Sequence, residues 1–222
     1  RVQAVDAGEV LLKHLGGADP SGTDGGGEVE GAVQLGHGRR GYRRSGTPGR
    51  GSGPRTGAVD AAAPCQTSGP MSTVPLPRGF HAHVANIGIK DDTDDFVVVA
   101  SDRPCAAAAV FTRSRFAGPS VEVSKDHVAD GSLRAVVVVS KNANVATGAE
   151  GLANARELAA GVATAVGCGH EDVLVTSTGV IGRQYPMERI RAHLADLLGP
   201  FTETDAVRVA TGMMTTDTFA KT

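Results

Sequence analysis

The sequence predicts a mixed α/β fold, in which a layered sheet is covered by helices over the second half of the chain. Two apolar runs of strand length, residues 135–144 and 173–176, are rich in valine, and each precedes a stretch whose apolar residues have helical spacing. Aromatic residues make up only 4% of the chain and Trp is absent. We therefore expect a core of small and β-branched side chains, which suits a sheet with closely packed helices.

The first elements of this domain are predicted as strands. Residues 96–101 (FVVVAS) and 106–112 (AAAAVFT) are apolar runs of strand length, separated by a turn around Asp102, Arg103 and Pro104. Residues 120–125 (SVEVSK) alternate between polar and apolar side chains, which predicts a half-exposed strand. The valine-rich run 135–144 predicts a strand that is buried on both faces.

The second half alternates helices with a strand. A helix is predicted by three-four spacing of the apolar residues Leu152, Ala155, Ala159, Val162 and Val166. The strand 173–176 follows, and Pro186 is then well placed in the first turn of the next helix. That helix carries one apolar stripe, formed by Met187, Ile190, Leu194 and Leu197. A short helix is predicted around residues 205–210.

The chain changes character near Met71, and we divide it into residues 1–70 and 71–222. Glycine and arginine dominate the first segment, which has too little apolar surface to offset chain entropy and is predicted to be a disordered or non-native leader. Its one helix-like piece is Ala7–Leu15, and Met71 is a plausible true start. The alternative is an anion-binding surface formed by Arg39, Arg40, Arg43, Arg44, Arg50 and Arg55.

Composition excludes several classes of function. The formal net charge is −2, which argues against a partner such as nucleic acid held by a general basic field. No apolar run reaches the ~18 residues of a membrane span, and no secretory signal is present, so a cytoplasmic protein is expected. Cys65, Cys105 and Cys168 lack metal-ligand spacing and are predicted to be free thiols. We expect no metal and no cofactor.

The most informative stretch is VLVTSTGVIGRQYP, in which Thr178 and Gly179 end a buried strand. Glycine tolerates positive φ and leaves its N–H uncovered, so this amide beside a hydroxyl could form an oxyanion hole. A plain strand-to-helix turn or a phosphate site at a helix start would give the same local pattern. The stretch is not a dinucleotide fingerprint.

Two further polar stretches are candidate pocket residues. Asn142 and Asn144 follow a buried strand directly, where they could face a pocket or simply form a turn. In MMTTDT, the hydroxyl of Thr215 could bind an acyl substrate, with Thr216 and Asp217 beside it. The alternative for this second stretch is an edge strand with an Asx-type cap.

Five stretches together resemble the ornithine acetyltransferase family, also called glutamate N-acetyltransferase. They occur in the family's order and are RGFHAHVANIGIK, AVFTRSRFAGPSV, SKNANVATGAEG, STGVIGRQYPM and MMTTDT. The amino-acid sequences of the second and fourth stretches most resemble the clavulanic-acid-cluster branch of the family. The resemblance covers roughly residue 78 to the end and none of the leader.

The resemblance implies an N-terminal-nucleophile-like layered fold and a multifunctional acyltransferase of arginine or related biosynthesis. Such a precursor cleaves itself before a Thr, which then carries acetyl from N-acetylornithine to glutamate. Thr178 and Gly179 match the family's oxyanion-hole pair, and Thr215 matches its substrate-binding Thr. Asn142 and Asn144 match a motif without an assigned role. The resemblance also implies a β chain from the same precursor and an assembly of two α and two β chains.

Two departures from the family qualify this expectation. Ala220 stands where the family's TTDTxPK motif has proline, and the chain stops at Thr222, before the Lys-Gly and Met-Ala-Thr segments that carry the nucleophile. We therefore expect that the chain is an incomplete α portion and that the nucleophile lies outside it. The chain is also expected to be inactive alone. The alternatives are a non-catalytic α/β domain that binds a small molecule or anion, and a pseudoenzyme subunit.

Overall fold

A computed structural model describes residues 3–5, 10–15, 29–35 and 73–215, the first three ranges as backbone strands. The strands are β1 (Gln3–Val5), β2 (Val10–Leu15), β3 (Val29–Leu35), β4 (Phe80–Ala85), β5 (Phe96–Ala109), β6 (Ser132–Asn142) and β7 (Val173–Val180). The α-helices are α1 (Pro119–His127), α2 (Gly148–Val166), α3 (Met187–Asp196) and α4 (Ala206–Met213). None of the helices in these ranges is both long and apolar enough to cross a membrane.

The described strands form one mixed sheet. Its order is β1-β7-β6-β5-β2-β3, and β4 pairs with the first half of β5. The β6–β7 pair is parallel and the other pairs are antiparallel. The crossover between the two parallel strands contains α2, as such a connection requires.

Helices cover both faces of the sheet. On one face, alternate valines of β5, β6 and β7 pack with α2 and α3, through residues such as Leu158 and Ile190. On the other face, the intervening side chains of the same strands pack with Val209 of α4. β6 is therefore buried on both sides, which explains its nearly uninterrupted valine run.

Most of the predicted elements and the α/β class are confirmed. The strands at 135–144 and 173–176 are β6 and β7, and the helices predicted between and after them are α2 and α3. Asp205 is the N-cap of α4, because its carboxylate accepts a hydrogen bond from the Val207 amide at 2.9 Å.

The strand predicted at 120–125 is wrong, because this segment is helix α1. Pro119 occupies the first turn, where its missing N–H costs nothing. Ser120 and Ser124, four residues apart, share one helical face and are both buried. Their hydroxyls bond to distant parts of the chain, so tertiary contacts decide the conformation over local alternation.

Two other element predictions need correction. The two strands predicted at 96–101 and 106–112 form one strand, β5, whose register shifts between Ala100 and Cys105. The residues of the predicted turn thus form an irregularity within this strand. The helix-like piece predicted at 7–15 is also wrong over residues 10–15, since Val10–Leu15 is strand β2, paired with β3 and β5.

β1, β2 and β3 all lie within the segment that the sequence predicts to be a disordered or non-native leader. The rest of that segment, including the six arginines of the alternative anion-binding surface, lies outside the described residues. The division of the chain at residue 70 therefore stays a prediction.

Candidate active site

The carboxyl ends of β6 and β7 bring most of the predicted site residues together. In the parallel register, Ser140 pairs with Thr178, Lys141 with Gly179 and Asn142 with Val180. Ligand sites of α/β proteins lie at such strand ends. The candidate site is therefore centred on the Thr178–Gly179 peptide and the facing Lys141.

Position 179 requires glycine for two independent reasons. Its φ is +133°, a backbone conformation that residues with a side chain rarely adopt. A Cβ atom placed there would also lie 2.2 Å from the carbonyl carbon of Lys141. The neighbouring strand thus approaches the peptide so closely that any side chain would force the two apart.

The outer edge of β7, away from β6, is satisfied at its start by side chains of α1. The Ser124 hydroxyl donates to the Val175 carbonyl at 2.6 Å and accepts from the Val175 amide at 3.0 Å. The His127 ring donates from Nδ1 to the Val173 carbonyl at 2.7 Å. Because peptide groups alternate along a strand, the Gly179 amide, four residues after Val175, faces the same outer edge.

The edge beside Gly179 is paired with a strand instead of a helix. β1 runs antiparallel here, with Ala4 opposite Gly179 and Val5 opposite Thr178. Thr178 is 6% exposed, and Gly179 is also buried. A ligand can therefore reach this amide only where β1 does not pair with it.

Thr215 lies at the site because it follows the end of α4. Its Oγ1 accepts a hydrogen bond from the amide of Lys141, the residue that pairs with Gly179, at 3.4 Å. The end of α4 is fixed by the Ser140 hydroxyl, which donates to the Gly212 carbonyl at 2.9 Å. Thr215 thus joins Thr178 and Gly179, whereas Thr216 and Asp217 lie outside the described residues.

Two lysines stand at this site, and the sequence analysis missed both. The Lys90 ammonium donates to the carbonyls of Asp94, Gly212 and Met214. Burial, followed by the neighbouring charge of Lys141, lowers the pKa of Lys90, while Asp95 and Asp94 oppose the shift. The Lys141 ammonium lies 3.7 Å from the Asp91 carboxylate. Both ammonium groups are thus engaged within the protein, with the carboxylates of Asp91, Asp94 and Asp95 close to them.

Asn142 holds the loop that follows β7. Its amide nitrogen donates to the carbonyls of Arg183 and Gln184, at 3.1 and 2.7 Å. Although it stands at the strand end as predicted, these bonds direct its donors to the protein backbone. The structure therefore gives Asn142 a role in shaping the turn after Gly179.

Asn144 is fully buried and belongs to a hydrogen-bond network beneath the site. Its amide nitrogen donates to the Ser120 hydroxyl at 3.0 Å and to the Gly151 carbonyl at 3.1 Å, and its oxygen accepts from Thr147 at 2.8 Å. Its φ is +48°, and Lys141 and Ala146 also have positive φ. The end of β6 and the loop after it thus hold three non-glycine residues in the left-handed region, a form of strain that tends to collect at functional sites.

The fold and this arrangement define a layered α/β domain with a candidate anion-stabilising amide at the end of paired parallel strands. The ArgJ family matches residues 81–222, and the chain belongs to that family. This result confirms the resemblance to ornithine acetyltransferases in the sequence. The match does not include β1, β2 or β3.

Known relatives and structures agree with the family assignment. The chain is 56% identical over 151 residues to glutamate N-acetyltransferase Oat2 of Streptomyces clavuligerus, covering 68% of this chain and 38% of that protein. It is 54% identical over 146 residues to the arginine biosynthesis bifunctional protein ArgJ of Rhodococcoides fascians, covering 65% of this chain and 36% of that protein. The chain thus spans well under half the length of these curated relatives.

A solved structure shares the fold. The crystal structure of ornithine acetyltransferase complexed with ornithine, from Mycobacterium tuberculosis, superposes with a TM-score of 0.61 at 34% identity, covering 66% of this chain and 80% of that chain. The arginine biosynthesis bifunctional protein ArgJ from Bacillus halodurans gives a TM-score of 0.60 at 33% identity, covering 64% and 74%.

Proposed function

We propose that this chain supplies the oxyanion-stabilising part of an acetyltransferase that moves an acetyl group from N-acetylornithine to glutamate. The observation that carries the proposal is the Gly179 amide, which faces the outer edge of β7 within the family-matched segment. The relatives named above, a glutamate N-acetyltransferase and an ornithine acetyltransferase, support the choice of substrates.

Each site residue has a defined part in this proposal. The Gly179 amide and the Thr178 hydroxyl donate to the oxygen of the acyl group as negative charge develops on it. Thr215 binds the substrate beside Lys141, and Asn142 and Asn144 keep the surrounding loops in place.

The nucleophile and the base are proposed to come from polypeptide outside this chain. Attack by a Thr hydroxyl on the acetyl carbonyl would form an acetyl-Thr ester and release ornithine, and glutamate would then take the acetyl group. Residues 71–222 would act as the α portion and would pair with a β chain in an assembly of two α and two β chains. The chain alone is then expected to be inactive.

A hybrid enzyme tests this proposal. Residues 81–215 would replace the matching segment of full-length S. clavuligerus Oat2, and transfer of labelled acetyl from N-acetylornithine to glutamate would be measured. Thr178→Ala should lower kcat by about a hundredfold or more, because one oxyanion donor is lost. Thr204→Ala is the matched control, since Thr204 is exposed in the loop before α4.

The possible results separate the proposal from its alternatives. Full activity of the Thr178→Ala hybrid would contradict the oxyanion role, and acetyl transfer by the 222-residue chain alone would contradict an external nucleophile. The second candidate is a non-catalytic anion-binding domain, which the pairing of Lys141 with Gly179 favours. Acetate binding by a hybrid that shows no acetyl transfer would support this second candidate.

A further inference from the structure

A cavity of about 370 Å³ lies far from the candidate active site. It is lined by His81, Ser101, Asp102, Arg134, the last turn of α2 (residues 164–167) and the Gly199–Phe201 loop. Arg134 and Lys141 stand near opposite ends of β6, seven residues or about 23 Å apart in an extended strand. The volume falls in the range of small-molecule pockets.

Arg134 places a positive charge at this cavity. Its side chain is half-buried, and its Nε donates to the Ser101 carbonyl at 3.1 Å. None of the ion pairs in the described part of the chain involves Arg134. A half-buried guanidinium normally meets a carboxylate or another anion, so the remaining donors of Arg134 can bind one.

The same cavity also has a negative side. Asp102 lies there, with its Oδ1 3.2 Å from Nε2 of His81. The last turn of α2 ends at the cavity, and the helix dipole makes this end negative. Gly167 caps the helix in the left-handed conformation, and its amide and that of Cys168 both bond to the Ala163 carbonyl. Thr164 and Val166, two other residues of that turn, line the cavity.

We propose that this cavity binds a small zwitterion with the chemistry of a free amino acid. The carboxylate of the ligand pairs with Arg134, and its ammonium group lies toward Asp102 and the carboxyl end of α2. A plain anion would meet repulsion from Asp102 and the helix end, and a plain cation would meet repulsion from Arg134. Both charges on one ligand satisfy both sides of the cavity. This second site is independent of the acetyl transfer proposed above.

Three probes of matched size test the charge requirement. The ¹⁵N-labelled 222-residue chain would be titrated separately with L-norvaline, with pentanoate, which lacks the ammonium group, and with butylamine, which lacks the carboxylate. Saturable shifts from norvaline are expected at the amides of residues 81, 101–102, 134 and 164–167. Each of the other two probes should bind at least about tenfold more weakly, since one charge-assisted contact is missing. Equal binding of all three probes, or no binding of norvaline, would overturn the proposal.

Variants identify the residues responsible. Arg134→Gln and Asp102→Asn should each weaken norvaline binding by about tenfold or more, and Arg134→Lys should bind with intermediate strength. Arg191→Gln is the matched control, because Arg191 pairs with Glu157 on an exposed surface elsewhere. Asp102 is exposed, so its variant tests the site even where Arg134→Gln fails to fold. Unchanged norvaline binding in the folded Arg134 and Asp102 variants would refute the assignment.

Discussion

The two halves of the outer edge of β7 are satisfied in different ways. At Val173 and Val175, the peptide groups bond to the side chains of His127 and Ser124, which belong to the same packed domain. At Thr178 and Gly179, the edge pairs with the backbone of β1, which lies outside the family-matched segment. A donor fixed by a buried side chain is structural, whereas a donor whose partner can be exchanged is available for chemistry. The four predictions that follow test this difference, beginning with the largest expected effect.

Gly179→Ala should destabilise the chain by about 3 kcal/mol or more, because the strained φ and the clash with the Lys141 carbonyl add. Gly182→Ala is the matched control. Gly182 also has positive φ, at +77°, but nothing lies within 4 Å of its added Cβ. The control should cost only about 1–2 kcal/mol. Urea unfolding of both variants measures the difference, and equal costs would show that the close approach of β6 has no energetic weight.

Ser124→Ala should lower the free energy of unfolding by about 2–3 kcal/mol. It leaves the amide and the carbonyl of Val175 without their hydroxyl partner in a buried site. Exchange of the Val175 amide should become faster at the same time. Ser114→Ala serves as the control, since Ser114 is exposed and its loss should change stability by less than about 0.5 kcal/mol. Similar costs for the two variants would contradict a structural role for this half of the edge.

These contacts show how far sequence reasoning reaches. β6 and β7 are predictable because both faces of these strands are buried. Such a strand needs consecutive apolar residues, and these valine runs are visible in the local sequence. Helix α1 is not predictable in this way, because its decisive contact joins Ser124 to Val175, 51 residues away. The local alternation in SVEVSK favours a strand, and only the packed domain reverses that preference.

The candidate site likewise contains residues that the local sequence predicts and residues that only distant contacts bring in. Thr178 and Gly179 can be proposed from the sequence because a glycine at the end of an apolar run can leave its N–H uncovered, although a plain turn would give the same pattern. Lys90 cannot, because it reaches the site through the Gly212 carbonyl, 122 residues away. Asn144 stands out as a polar residue at a strand end, yet its buried bonds to Ser120 and Thr147 cannot be read from spacing.

A pH-dependent contact away from β7 provides a comparison with its edge. His83 on β4 and His193 on α3 share a hydrogen bond of 2.9 Å between their Nε2 atoms. Burial lowers the pKa of both rings, aided at His83 by His193 and Arg208 and opposed at His193 by Asp95 and Asp196. Their contribution to stability is therefore complete above the unfolded value of about 6.5 and is lost as pH falls through the lower folded values.

We accordingly expect the urea concentration at the unfolding midpoint to decrease when the pH is lowered from 7.5 to 5. This decrease should be smaller in a His83→Gln/His193→Asn variant. His170→Asn is the control, because His170 is an exposed residue paired with Glu171. The amide of Val175 should keep its protection until global unfolding, since it bonds to Ser124 of α1, whereas the bond between the two rings joins β4 to α3. A pH response that is unchanged in the double variant would assign the acid sensitivity elsewhere.

Ala4→Pro is the mildest change and tests the edge directly. Proline removes the amide donor of β1 opposite Gly179, and its ring disfavours a paired strand. Exchange of the Gly179 amide should rise by about tenfold or more, whereas exchange of the Val175 amide and global stability should stay nearly unchanged. If the Val175 amide is exposed to the same extent, the two halves open together and the contrast fails. If the Gly179 amide already exchanges freely in the parent chain, β1 does not hold this edge, and the donor is available without any change in the fold.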